Sequence, residues 1–499
     1  MKKLIHPKIF LFCSLIFLST FVFGQIEVNE SYRYNFIEKI GNSNALAYTI
    51  HQESPKVLSK TLTTFDITGK QLSKIEIPFK QFPELEDCIS VGENTVFYFS
   101  FSYSKDILLL VVDNKGQEVS RKTIEYLKVF GTDLQPAGSD KFYLVAGVKN
   151  KKQGVSVECF NLSLESQWNY SKIPEKSKYF YTNSAVNANG DVAIIYNIKS
   201  VDDHILFIDA NGNETGDQQL NKEEIEHYAP YKMHFKSADE LLVFADYGTY
   251  NEAPFMTTPI GLNIKHFNKS AEEIGNQNIE FDTVKDLWGN RTSGGRMTSE
   301  PTPSLRVVDI QTVNGRSTLI AESYYLTERS ETVKASSPQA QPTIVVTKIL
   351  TMLDLYLLDM DNLAENIERI WKPARAISVK GIKYYDATDF CDLLEEKNMF
   401  GYQGITGDQI LIRGFSQNHE YFNTIPFDVN WENVSTRTYF GRPLNDVFNP
   451  RRSVQSFARS SSIGPIPGMG LSGFIQSNDH LVLYRFHSPT ANLQFAVIK

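Results

Sequence analysis

The chain has 499 residues, with 50 Lys and Arg against 58 Asp and Glu and a net charge of −8. An acidic balance without clustered Lys and Arg excludes nucleic acid as a partner, because a phosphate backbone needs a basic footprint. Beyond residue 24 only Cys88, Cys159 and Cys391 remain, too few and too scattered for a disulfide framework or a CxxC metal or redox site, and all three read as buried thiols.

Residues 1–24 read as an export signal. Met1-Lys2-Lys3 is a basic start, residues 9–23 are almost wholly apolar, and Val22-Phe23-Gly24 suits a signal peptidase cutting before Gln25. The apolar stretch is about 15 residues, short of the roughly 20 that span a bilayer. Cys13 follows the bulky Phe12, where a lipid anchor needs a small residue. The expectation is a mature chain of 25–499 with no membrane span, exported to the periplasm, cell surface or medium.

A repeated unit follows. An apolar run ends in Asp or Asn and turns at Phe65-Asp66-Ile67-Thr68-Gly69, Val112-Asp113-Asn114-Lys115-Gly116, Phe160-Asn161 and Ile208-Asp209-Ala210-Asn211-Gly212, at spacings of 47, 48 and 48 residues. Phe267-Asn268, Leu358-Asp359 and Phe427-Asp428 continue the series. The second unit is the clearest: short strands over 88–91, 95–102, 107–112 and 118–124 make a four-stranded antiparallel meander. Asp at the first turn position accepts backbone N–H bonds, and Gly at the fourth takes a left-handed backbone without a Cβ penalty. The calcium-loop spacing D-x-D-x-D-G with a distal Glu is absent, so these are hairpin turns rather than metal sites.

Further strand pairs are expected at 141–147 and 155–160, 191–198 and 204–208, 240–247 and 260–267, 317–325 and 350–358, 409–415 and 421–427, and 480–487 and 492–498. The last run is the third strand of its unit, so the alternating residues 26–29 are expected to supply the fourth. The fold class is therefore all-β: one propeller over 25–499, with eight four-stranded blades and seven as the alternative. The pattern resembles that of bacterial secreted β-propellers with loosely repeated blades, over nearly all of the mature chain. The resemblance implies the fold alone, because no WD dipeptide, kelch Gly-Gly or Asp-box motif accompanies it.

Regularity then breaks. Asp209, Asn268, Asp359 and Asp428 are 59, 91 and 69 residues apart, and the surplus lies in 247–259, 286–304, 327–341 and 373–396. Pro, Gly, Ser and Thr mark most of these as loops, and 327–341 as disordered. In a propeller they emerge opposite the D-x-x-G turns. Asp286, Trp288, Arg291, Arg296, Tyr247 and Tyr250 are the candidate binding residues, since aromatic faces beside directed charges suit glycan or peptide contact.

No H-x-H, H-E-x-x-H, phosphate loop, dinucleotide fingerprint or nucleophile elbow is present, so no metal or cofactor is expected. The functional expectation is a non-enzymatic binding or scaffolding protein of the cell envelope with a protein or glycan ligand. The alternative is a carbohydrate-active hydrolase or lyase with carboxylates in the central channel.

Overall fold

The computed structural model describes residues 21–27, 45–54, 57–66, 71–78, 83–101, 106–125, 129–149, 153–174, 179–198, 202–220, 227–250, 257–281, 292–293, 296–297, 303–313, 316–333, 343–363, 367–371, 375–380, 391, 400–406, 409–416, 419–427, 435–438, 472–477, 480–487 and 492–498. The chain divides into two compact units. One comprises Met1–Glu125, Leu162–Leu164 and Gly468–Lys499, and the other Tyr126–Asn161 and Glu165–Pro467.

The first unit opens with β1 (Phe21–Glu27) and a three-stranded sheet of β2 (Ala45–Ser54), β3 (Val57–Asp66) and β4 (Gln71–Pro78). A four-stranded sheet follows, of β5 (Pro83–Val91), β6 (Asn94–Phe101), β7 (Asp106–Val112) and β8 (Glu118–Glu125).

The second unit holds β9 (Val129–Pro136), β10 (Lys141–Lys149), β11 (Gln153–Asn161) and β12 (Ser166–Lys172) in one sheet. The next has β13 (Tyr179–Val186), β14 (Val192–Ile198), β15 (Asp202–Ile208) and β16 (Glu214–Gln219). A third has β17 (His227–Phe235), β18 (Glu240–Tyr250), β19 (Thr257–Asn268) and β20 (Glu273–Glu280). The two-residue strands β21 (Thr292–Ser293) and β22 (Arg296–Met297) precede a six-stranded sheet. That sheet contains β23 (Ser304–Val313), β24 (Arg316–Val333), β25 (Thr343–Asp359), β26 (Ile367–Trp371), β27 (Arg375–Lys380) and, from further along the chain, β31 (Ser435–Thr438). Between them in sequence, β28 (Tyr402–Thr406), β29 (Gln409–Ser416) and β30 (His419–Pro426) form a three-stranded sheet.

The chain then returns to the first unit, where β32 (Ser472–Ser477), β33 (His480–His487) and β34 (Asn492–Ile498) make a sheet with β1. The terminal pairing starts earlier than the sequence suggests. The whole of Phe21–Glu27 lies along Asn492–Ile498, with Ile26 opposite Leu493, while residues 28 and 29 fall outside the described residues.

In the sheets β2–β4, β5–β8, β9–β12, β13–β16, β17–β20 and β28–β30, strand order along the chain is strand order across the sheet, since successive strands pair antiparallel. Within each unit, sheets lie face to face. In β14, Val192, Ile194 and Tyr196 pack toward β9–β12, while Ala193 and Ile195 pack toward β17–β20. In β18, Leu241, Val243 and Ala245 take one side and Leu242 and Phe244 the other. Period-two alternation thus hands each face to a different neighbour, so the middle strands are apolar throughout. In the first unit, Phe97, Phe99, Leu108 and Leu110 meet Leu62, Ile75 and Ile77 in the same way. Each such side chain contributes about 1.5–3 kcal/mol by leaving water.

The turn chemistry follows the expectation. Asp113 Oδ1 accepts from the amides of Lys115 at 2.9 Å and Gln117 at 2.8 Å, and Gly116 sits at φ +77°. Asp209 repeats this with Asn211, Asn213 and Gly212 at φ +87°. The Asn161 and Asn268 turns keep the geometry without glycine, since Leu164 (φ +61°) and Ala271 (φ +62°) occupy the left-handed position. In the sequence, Leu164 and Ala271 hid the left-handed position of these two turns, although Asn161 and Asn268 marked their start.

A second repeat was not legible at all. Each first strand of seven sheets carries one extra residue against its neighbour: Leu46, Glu86, Gly131, Thr182, Tyr231, Val308 and Gln403. Fourth strands bulge after the turn at Val119, Gln167, Thr215 and Ile274. A bulge lifts its residue out of the alternation, which accounts for the solvent-exposed Val119 and Ile274.

Three expectations are corrected. Residues 327–333, read as disordered, continue β24 and pair with β25 from Thr327↔Ile349 to Val333↔Thr343; cross-strand pairing offsets their polar composition. Residues 375–380, read as loop, are β27 and pair with β25 between Thr347 and Met352. Cys88 is half-buried, unlike Cys159 and Cys391. Residues 334–342 lie outside the described residues.

Candidate functional site

Two hairpins of the second unit run past their sheets at the end opposite the Asp turns. β18 and β19 continue to Tyr250↔Thr257, and β24 and β25 to Val333↔Thr343. Each changes register where the extension begins. In the first, Ile260 is the extra residue between Tyr247↔Gly261 and Gly248↔Pro259. In the second, pairing jumps from Glu322↔Leu355 to Tyr324↔Met352. There the Ser323 hydroxyl accepts from the Asp354 amide at 3.2 Å. Arg369 of β26 holds the Asp354 carboxylate with Nε at 3.1 Å and Nη2 at 2.8 Å.

Buried charge collects beneath these extensions. The first-strand bulge in β17 aims Tyr231 at β23, where the Val307 amide donates to its hydroxyl at 3.1 Å. The Arg306 guanidinium lies 3.5 Å from the centre of the Tyr231 ring, and its Nη1 is 3.8 Å from Asp246 Oδ2. Arg306 is 1% exposed and Asp246 0%. Glu322, also 0% exposed, is the cross-strand partner of Arg306 and accepts from the Gly401 amide at 2.7 Å. Burial pushes the Tyr324 hydroxyl well up, with Cys391 and the Asp246 charge acting the same way and Arg306 against them. A guanidinium stacked on a ring and facing a carboxylate in low dielectric fixes three sheet elements at once.

Half-buried polar groups lie farther along the same first strands. Asp309 Oδ1 accepts from the Ile310 amide at 2.8 Å, and Oδ2 from Gln311 Nε2 at 2.8 Å and from the Tyr402 hydroxyl. Lys232 Nζ donates to the Val308 carbonyl at 2.8 Å. Burial lowers the proton affinity of His234, opposed by Asp309 and assisted by Lys232. The Asp309 carboxylate thus ties β23 to β28 through Tyr402, and Lys232 ties β17 to β23 through the Val308 carbonyl.

Of the six residues singled out in the sequence, Tyr247, Tyr250 and Arg296 are among the described residues. Tyr247 begins the first extension but is 8% exposed. Its ring covers Gly261, where an added Cβ would come within 2.4 Å of the ring carbons. Burial raises its hydroxyl pKa, helped by the Glu280 charge. Tyr250 pairs with Thr257, and Arg296 pairs with Ser293 in the β21–β22 hairpin. Asp286, Trp288 and Arg291 lie outside the described residues. The floor residues were missed, although one signal for them exists: Arg306, Asp246 and Glu322 each interrupt an apolar strand run, in SLRVVD, FADYG and IAESYY.

No protein-family model matches the sequence, and no curated protein does. Among solved structures, the chain is similar to an oligogalacturonate lyase in complex with manganese, at 10% identity and TM-score 0.39, covering 91% of this chain and 96% of that one. It is similar to the β-propeller domain of the Trilobed protease from Pyrococcus furiosus, at 11% identity and TM-score 0.38, covering 83% and 95%. Similarity to prolyl oligopeptidase B from Galerina marginata, at 11% identity and TM-score 0.31, covers 64% of this chain and spans only 38% of that enzyme's length.

Proposed function

We propose that this is an exported, non-enzymatic binding or scaffolding protein of the bacterial cell envelope. It is an eight-bladed propeller that takes its last blade's fourth strand from the N-terminal region, and it contacts a protein or glycan through the sector built by β17–β31. Support for the count comes from five four-stranded, two three-stranded and one six-stranded sheet among the described residues. Support for the closure comes from Gln25, Ile26 and Glu27, which remain after the expected cut, lying opposite Gln494, Leu493 and Asn492.

The observation that carries the binding role is that surplus sequence forms paired strand instead of slack loop. Ordering a residue costs roughly 1–2 kcal/mol of backbone entropy. The β24–β25 extension offsets this with continuous cross-strand bonds and with β27 on its edge. Its base is held by the Asp354–Arg369 pair, and the Arg306–Asp246 pair lies under the neighbouring hairpin. A stiff projection on a rigid floor suits recognition of a partner with little ordering on contact.

The test compares the full chain with two variants, one with residues 327–349 replaced by Asn-Gly and one carrying Trp288→Ala with Arg296→Ala. Each is probed on an array of envelope glycans and against an envelope-protein extract. Binding by the full chain that is lost in both variants, with unfolding midpoints unchanged, supports the reading. Full retention by both variants refutes it.

A further inference from the structure

The β28–β30 sheet stops at three strands, and the segment that would complete it lies elsewhere. Elsewhere in the chain, the hairpins into a fourth strand share one register. The residue two before the turn Asp or Asn faces the residue seven after it: Thr64↔Ser73, Val111↔Ser120, Cys159↔Trp168, Phe207↔Gly216 and His266↔Gly275. Counted from Asp428, which the sequence marks as the next turn, the seventh residue is Ser435, the first of β31. Residue type agrees. Val434, Ser435, Arg437 and Thr438 stand as far from Asp428 as Val119, Ser120, Lys122 and Thr123 of β8 stand from Asp113. By its place in the repeat β31 is a fourth strand. It nevertheless runs parallel to β26, from Glu368↔Ser435 to Trp371↔Thr438, and among the described residues no strand pairs with the side of β30 away from β29.

A proline accounts for the difference. At the regular turns the Asp or Asn amide donates toward the outgoing strand: Asp113 to the Gln117 carbonyl at 2.9 Å, Asn161 to Glu165 at 3.2 Å, Asp209 to Asn213 at 2.8 Å and Asn268 to Glu272 at 3.0 Å. Amides alternate sides along a strand, so the residue two earlier also aims its N–H at the fourth strand. Before Asp428 that residue is Pro426, which has no N–H to give. The antiparallel seat on β30 thus lacks one ladder bond, and β31 takes a parallel seat instead, the weaker kind of pairing per residue. We infer that β31 is a swapped strap: Pro426 holds it off its own sheet, it fastens the β28–β30 segment to the sheet of β23–β27, and its second seat is the β30 edge. In that seat the shared register sets Ser435 opposite Pro426, Thr436 opposite Ile425, Arg437 opposite Thr424 and Thr438 opposite Asn423. An open strand edge is a template for pairing. One strand serves two edges, so covering β30 uncovers β26.

The experiment introduces Thr438→Cys into the full chain and offers it one partner at a time, Trp371→Cys for the β26 seat or Asn423→Cys for the β30 seat. Facing residues on paired strands lie within disulfide reach. After brief oxidation, peptide masses identify the linked pair. With Pro426 in place, the β26 link should close first. Pro426→Thr and Pro426→Ala each restore the N–H, and each should raise the ratio of the β30 link to the β26 link by on the order of tenfold. The two replacements should act alike, since the gain is in the backbone. A β30 link that never forms, with the proline or without it, refutes the second seat. A ratio that neither replacement moves refutes the role of Pro426. A link through Asn423→Cys found only between two chains would show a second copy on the β30 edge and overturn the strap within one chain. Hydrogen exchange needs no cysteine. Amide protection in β30 should rise severalfold in Pro426→Thr, and no rise would overturn the inference.

Discussion

Replacing Gly212 by Ala separates backbone strain from packing at the Asp turns. Gly212 adopts φ +87°, and a Cβ there meets the Trp168 ring at 2.8–3.3 Å. Gly138, in the β9–β10 turn, has φ +88° with nothing within 4 Å of the same added atom. Gly138→Ala therefore carries only the left-handed penalty, about 1–2 kcal/mol. Gly212→Ala carries that penalty and must also displace the indole, whose Nε1 donates to the Ala210 carbonyl at 3.0 Å. Losing that bond costs about 1 kcal/mol, and forcing extra volume against a packed ring about 1–3 kcal/mol. The expected gap between the variants is about 2–4 kcal/mol. Urea denaturation of both, read as midpoint at constant slope, measures it. Adding Trp168→Ala to Gly212→Ala should cost less than the two single losses together. Equal losses for the two glycine variants, or full additivity with Trp168→Ala, would refute the packing argument.

Other substitutions probe the base of the extensions. Arg369→Ala strands the buried Asp354 carboxylate and should destabilise the chain by about 3–5 kcal/mol, as read by the same denaturation. Arg369→Leu with Asp354→Leu should recover most of that loss, because it is the unpaired charge that costs most. Tyr247→Ala uncovers Gly261 and Gly261→Ala pushes the ring away, so each alone should lose about 1–3 kcal/mol. A double-mutant cycle should return a coupling of at least about 0.5 kcal/mol, and additivity would show that the ring does not rest on the glycine.

The period of about 48 residues was legible because it rests on local chemistry. An Asp or Asn that hydrogen-bonds amides two and four residues ahead needs only its own turn. Strand runs such as DILLLVV were legible for a related reason, since both faces of a middle strand meet apolar neighbours. The longest strands were read short, at Arg316–Val333 and Thr343–Asp359. The outer part of β24, Thr327–Val333, is polar, and only pairing with β25 makes it strand, whereas that of β25, TIVVTKI, carries a β-branched strand signal of its own.

What the sequence determined by itself is the all-β class, the four-strand meander and the turn that punctuates it. Those depend on side-chain alternation and on hydrogen bonds spanning four or five residues. Tertiary structure alone decided the first-strand bulges, the Arg306–Asp246 pair from strands sixty residues apart, and the seat of β31 on β26. A bulge is one unmatched residue relative to a neighbouring strand, and a buried ion pair is a distance between sheets. Neither has a local signature beyond a charged residue interrupting an apolar run, because each is a relation between strands rather than a property of one.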